Sequence, residues 1–138
     1  MGLDNGIVLH SREPIIIPLE VRATLEVYPL DRYFNYKYDL CYWRKCWNIR
    51  RAVAQVLEAG AEYVGKCFLT ISEVKGIWWA LNELDDEKAW EASACGSIWT
   101  YDEIKDNLQN SMLSLEWLIH IMRRLDEKDY MVEFYDSY

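Results

Sequence analysis

The sequence holds no apolar run long enough to cross a bilayer, which takes about 20 consecutive apolar residues, and it has no excess of basic residues. Its formal net charge is −8, a sign that repels nucleic acid and anionic membranes unless cations cluster. Neither a membrane nor direct nucleic-acid binding is expected. The start lacks the basic and apolar regions of a secretory signal, and no N-x-S/T acceptor occurs. The four cysteines, Cys41, Cys46, Cys67 and Cys95, match neither a zinc ribbon nor a C-x-x-C pair. A cytoplasmic chain with free thiols, no metal and no cofactor is the expectation. A zinc set of Cys41, Cys46, Cys67 and His10 has the arithmetic but not the spacing, and buried thiols are the better reading. Nucleophile elbow, P-loop, dinucleotide fingerprint, H-E-x-x-H and EF-hand loop are all missing. Their absence removes the common enzyme classes and tilts the reading away from catalysis.

What is present in quantity is aromatic residues. Seven Trp and ten Tyr stand in 138 residues, of which 51% are apolar. That is ample for one domain spanning residues 1–138 with its own core. Large amphipathic rings serve cores, but they also serve interfaces and stacking sites. The charge is unevenly spread. Residues 35–69 carry Lys37, Arg44, Lys45, Arg50, Arg51 and Lys66 against three acids, and residues 70–110 carry nine acids against three lysines. An acidic chain of this kind is attracted to basic surfaces of other proteins.

Periodicity gives the elements. Asp4-Asn5-Gly6 is a turn signal, and Gly6–His10 reads as a short strand. Ile15-Ile16-Ile17 is bracketed by Pro14 and Pro18, which makes it an edge strand or an extended crossing segment. Leu25–Leu30 fits no single state. Tyr36, Tyr38, Leu40 and Tyr42 alternate, predicting a strand over 36–43. Cys46, Ile49, Val53 and Val56 then step at helical spacing, with Gly60 as the stop. Thr70 with Glu73 forms a capping-box pattern before Val74, Ile77, Leu81 and Leu84. Asp85-Asp86-Glu87 ends that helix or starts a short one that Gly96 closes. Thr100 with Glu103 opens a long amphipathic helix at about 101–125, striped by Ile104, Leu108, Met112, Leu115, Ile119 and Met122. Tyr130, Val132 and Phe134 predict a strand over 130–136. The fold class is α+β: a small, mostly antiparallel sheet of the N-terminal strand, strand 36–43 and strand 130–136, packed against three or four helices. The C-terminal strand is expected beside strand 36–43 or the N-terminal strand.

Three groups of residues bear on function. Tyr28 to Arg51 interleaves rings with cations, the combination that stacks a base or sugar and holds a phosphate. Its candidate ligand-binding residues are Trp43, Arg44, Lys45, Trp47, Arg50 and Arg51, with Arg44 and Arg51 sharing a face if both are helical. The bland alternative is a strand-to-helix corner whose rings are core. Asp4 and Asn5 could line a pocket rim, although such residues more often serve a turn. Glu83, Asp85, Asp86, Glu87 and Glu91 form an acidic stretch that solvates a helix or imitates phosphate charge. His120 has only Glu116 at helical spacing, which suits a solvated face.

The opening Met1-Gly2-Leu3-Asp4-Asn5-Gly6-Ile7, together with Tyr42-Trp43-Arg44-Lys45-Cys46-Trp47-Asn48-Ile49-Arg50, resembles a group of short bacterial and bacteriophage proteins with no assigned activity. The resemblance implies a phage or prophage setting and carries over no functional residue. The leading expectation is therefore a small, acidic, non-enzymatic interaction protein with a host-protein partner or a homodimer. A nucleotide or other phosphorylated-ligand binder using 42–51 is the alternative, and an acidic mimic of nucleic acid is a third.

Overall fold

The apolar triplet Ile7-Val8-Leu9 lies in β1 (Asp4–Ser11), and all three side chains are buried. A strand buried on both faces belongs inside a sheet, and β1 is the middle strand. In the computed structural model, residues 4–44, 46–57, 66–84 and 101–137 are described. They form one antiparallel sheet ordered β2-β3-β1-β5-β4, with β2 (Thr24–Val27), β3 (Tyr36–Arg44), β4 (Lys66–Phe68) and β5 (Tyr130–Ser137). Three helices accompany it among the described residues: α1 (Trp47–Val56), α2 (Ile71–Asn82) and α3 (Tyr101–Met122). The α+β class and its antiparallel sheet agree with the periodicity. The C-terminal strand pairs with β1, not with β3. Two edge strands escape a reading of the sequence, since β2 and β4 are too short for alternation to register. The segment Ile15–Ile17 crosses without joining the sheet, and the Ile15 amide donates to the Tyr38 hydroxyl at 2.8 Å.

Strand β3 does not alternate straight through. Ile7 faces Cys41 and Val8 faces Asp39, so Leu40 is an extra residue, a β-bulge. The bulge flips the parity of the rest of the strand. Tyr38 points to the core before it, and Cys41 and Trp43 do so after it, while Tyr42 turns out and is 47% exposed. Simple alternation puts Tyr38 and Tyr42 on one face, and the bulge separates them. Gly6, opposite Tyr42 and Tyr135, is required by close approach. A Cβ there would collide with the Cys41 carbonyl and the Tyr135 ring.

Helix α2 starts as its capping box predicts. The Glu73 amide donates to Thr70 Oγ1 at 3.2 Å, and the Thr70 amide donates to Glu73 Oε1 at 2.9 Å. Val74, Ile77 and Leu81 are its buried stripe. Helix α1 begins at Trp47, so Arg44 is the last residue of β3 and shares no helical face with Arg51. Helix α1 ends at Val56 with Leu57 as its cap, before the expected stop at Gly60. Gly60, Gly96, Thr100 and the Asp85-Asp86-Glu87 segment lie outside the described residues. Helix α3 ends at Met122, three residues short of the expected 125. Its buried stripe is Leu108, Ser111, Leu115, Leu118 and Met122, with Ser114 alongside. Two of these are serines, which a count of apolar residues passes over in favour of Met112 and Ile119.

Those serines belong to a polar layer between sheet and helices. Trp43 Nε1 donates to Ser111 Oγ at 2.9 Å, and Cys41 Sγ donates to the Ser111 carbonyl at 3.9 Å. Arg50 Nε of α1 donates to Asp136 Oδ2 of β5 at 3.0 Å, with both side chains almost wholly buried. Asn5 sits in the sheet between Trp43 and Asp136, fully buried, and its amide has no hydrogen-bond partner among the described residues.

Breaking a buried ion pair strands its partner's charge, which costs about 3–5 kcal/mol. Asp136→Ala is therefore expected to lower unfolding stability by about that amount in urea titration, and a loss under about 1 kcal/mol would contradict the pair's role. Burial also pushes the Cys41 thiol up from 9.0 to about 12. Between those values the unfolded chain releases a proton that the folded chain keeps, so stability present below pH 9 is lost as pH rises toward 12. The expected slope from this thiol is about 1.4 kcal/mol per pH unit, and Cys41→Ala should remove it. Equal slopes in wild type and variant would show that Cys41 ionises freely in the fold.

Candidate functional site

After Ser11 the chain crosses the helix side of the sheet and returns along the strap 19–24 to reach β2. Val21 anchors the strap by burial, and its amide closes a turn onto the Pro18 carbonyl at 3.1 Å. Between strap, β3 and the first turns of α3 lies a cleft of about 780 Å³, within the size range of ligand sites. Val21, Leu40 and Cys41 give it an apolar floor. Its wall is Glu103, Asp106, Asn107, Asn110, Ser111 and Ser114; Asp39 of β3 borders it at the sheet edge, in register with Val8, whose side chain lies on the sheet's other face.

The electrostatics of this cleft are acidic. Glu103 and Asp106 line it together with Arg22, which pairs with Asp106 at 3.3 Å. That pair is exposed on both sides and contributes little to stability. Asn110 Nδ2 also donates to Asp106, at 3.2 Å, and Asn107 Nδ2 donates to the Tyr42 carbonyl at 3.3 Å. Ser114 is 1% exposed, and its hydroxyl has no partner among the described residues. A buried hydroxyl without a partner carries a desolvation cost that an incoming polar group would relieve. Cys41, on the floor, is held as a thiol by burial.

The other face of the sheet holds two adjoining hollows of about 360 and 380 Å³, which share Lys37, Lys66 and Glu133. His10 stands there between Lys37 and Met131, its pKa lowered chiefly by burial, with Nε2 unpartnered among the described residues. Tyr135 is pushed up to about 12, first by burial and then by Asp39. Two rings at the rim are already engaged. Arg32 lies over Tyr28 at 4.4 Å and Arg12 over Tyr33 at 4.8 Å. Cations and acids alternate across this face, with Lys37 opposite Glu26 and with Asp39 and Glu133 flanking Val8. Such alternation solvates a sheet and leaves no net charge to hold an anion.

The sequence-predicted residues are distributed over separate surroundings. Trp43 is core, Arg50 is buried on Asp136, and Arg44 and Arg51 are exposed on different elements. Lys45 lies outside the described residues, as does the side chain of Trp47. Asp4 is half-buried and accepts the Tyr42 hydroxyl at 2.9 Å, and burial with that bond raises the Tyr42 pKa. Asn5 is buried rather than at a rim. The two sequence patches that carry the resemblance are thus hydrogen-bonded neighbours: Asp4 pairs with Arg44, Asn5 with Trp43 and Gly6 with Tyr42. Glu83 is exposed at the end of α2, while Asp85, Asp86, Glu87 and Glu91 lie outside the described residues. The cleft's own residues carry no signal in the sequence. Glu103 reads as an ordinary first-turn helix charge and Asp106 as part of a solvated helix face, and its serines add nothing periodic.

Among the described residues no three His, Cys, Asp or Glu side chains come together as a metal site, and no helix is long and apolar enough to cross a membrane. Comparison with protein-family models, with curated proteins and with solved structures finds no match for this chain.

Proposed function

We propose that this chain is a non-enzymatic interaction protein whose acidic cleft receives a basic segment of a protein partner. The observation that carries the reading is the cleft lining. Glu103 and Asp106 stand beside an apolar floor, so an Arg or Lys stem can lie on Val21 and Leu40 while its charge meets carboxylates. Asn107, Asn110 and Ser114 add hydrogen-bonding groups at the same wall. The overall charge of −8 draws a basic partner toward the molecule and speeds encounter.

Chemistry at the cleft lacks an activated nucleophile among the described residues. The Cys41 thiol is the soft nucleophile there, and it stays protonated at neutral pH because burial raises it to about 12. No histidine is among the described residues that line the cleft. Binding, rather than group transfer, is what these side chains support. The phosphorylated-ligand reading through 42–51 draws no support from the placement of Trp43 and Arg50, since both are already committed to buried partners.

A fluorescein-labelled peptide of alternating Arg and Ala is the probe. Its anisotropy should rise with added protein at low salt, and affinity should fall steeply as salt increases. Asp106→Lys is expected to weaken binding by about tenfold or more, a change of about 1.4 kcal/mol. Glu83→Lys makes the same charge change away from the cleft and should cost less than about twofold. Equal losses in the two variants would reduce the effect to net charge and defeat the cleft as the site.

A further inference from the structure

We propose that two copies of this chain join edge to edge through β2, continuing the sheet across a twofold axis at Leu25. The inference is separate from the cleft reading and rests on the geometry of the strand edge.

Strand β2 is an outer strand of the sheet, and all four of its residues are exposed. Leu25 is 50% and Val27 64% exposed. Open edges are usually protected by charged side chains, lysine above all, by proline, by a bulge or by short length. The opposite edge obeys that rule, for β4 is three residues long and begins with Lys66. Thr24-Leu25-Glu26-Val27 is also short and carries one charge, Glu26, but within it stand no lysine, proline or bulge, and it combines β-branched and apolar residues.

The hydrogen-bond phase determines which groups the edge offers. The Tyr28 amide donates inward to the Asn35 carbonyl at 2.7 Å. Antiparallel strands alternate inward and outward pairs. Thr24 and Glu26 therefore bond to β3, while Leu25 and Val27 turn their N–H and C=O groups outward. A twofold axis normal to the sheet keeps each residue on its own face, so directly opposed residues share parity and the axis passes through a residue. An axis at Val27 needs a donor from Pro29, which has no N–H. An axis at Glu26 sets two Glu26 carboxylates directly opposite, and like charges there are unfavourable. An axis at Leu25 opposes the two Leu25 side chains, pairs Thr24 with the other Glu26, and has each Leu25 exchange N–H···O=C bonds with its mate. The edge is self-complementary in that register.

Salt separates this contact from peptide binding in the cleft. Two copies at −8 repel each other, so screening should strengthen self-association, whereas it weakens capture of a basic peptide. Sedimentation velocity from low micromolar to sub-millimolar concentration is expected to show a monomer–dimer equilibrium that tightens with salt. Leu25→Pro removes an outward N–H that the β3 ladder does not use, and Leu25→Glu opposes two carboxylates. Each should weaken dimerisation by about tenfold or more while circular dichroism stays at wild type. Mild oxidation should cross-link Leu25→Cys in high yield, because opposed Cα atoms in such a pair lie within disulfide reach. Glu26→Cys faces Thr24 of the mate and should cross-link far less. A monomer across the whole range overturns the proposal. A dimer insensitive to both Leu25 variants, or equal cross-linking at 25 and 26, overturns it as well.

Discussion

The pairing of β1 with β3 around the extra residue Leu40 is the constraint on which the remaining structure depends. Without the bulge, Trp43 would face away from the helices and Tyr42 would face them. With it, the largest side chain of the strand sits fully buried and reaches Ser111 of α3 through its ring nitrogen. That bond sets α3 against β3, so one inserted residue fixes the position of the helix and of the cleft beside it. Gly6 makes the same pairing possible from the other side by leaving room for the Cys41 carbonyl and the Tyr135 ring.

A second tie closes the layer. Arg50 and Asp136 join α1 to β5 in surroundings where neither charge is hydrated. Such a pair adds little net stability relative to apolar residues of equal volume, but it punishes any arrangement that separates its members. Together with the Trp43–Ser111 bond it selects one packing of helices on the sheet. Two sequence patches far apart in the chain, Asp4-Asn5-Gly6 and Tyr42-Trp43-Arg44, meet here as paired strands, linked also by the Tyr42–Asp4 hydrogen bond.

The packing leaves some side chains and one strand edge without a structural duty. The aromatic and basic residues of 42–51, suited by type to a ligand, are in part consumed by the core. The acids of α3, Glu103 and Asp106, instead stand beside an apolar floor. The exposed β2 edge is a second surplus, without the lysine that stands on β4. Both features suit a protein that works through contact with other chains, by charge in the cleft and by backbone hydrogen bonding at the edge.

Local rules were legible in the sequence alone. Thr70 and Glu73 announced the start of α2 because a capping box is closed by bonds between residues three apart. The strands around Ile7, Tyr38 and Val132, the long helix from Tyr101 and the acidic charge were legible for the same reason: each is a property of neighbouring residues. The bulge at Leu40 could not be read, since it exists only relative to the partner strand. Ser111 and Ser114 could not be assigned inward. A serine such as Ser111 is buried only when something distant, here Trp43 across 68 residues of chain, gives its hydroxyl a partner. Tertiary structure alone decided that Trp43 and Arg50 are scaffold and that Glu103 and Asp106 of α3 share a cleft with Val21 and Leu40, because long-range packing and not local spacing determines which side chains face one another.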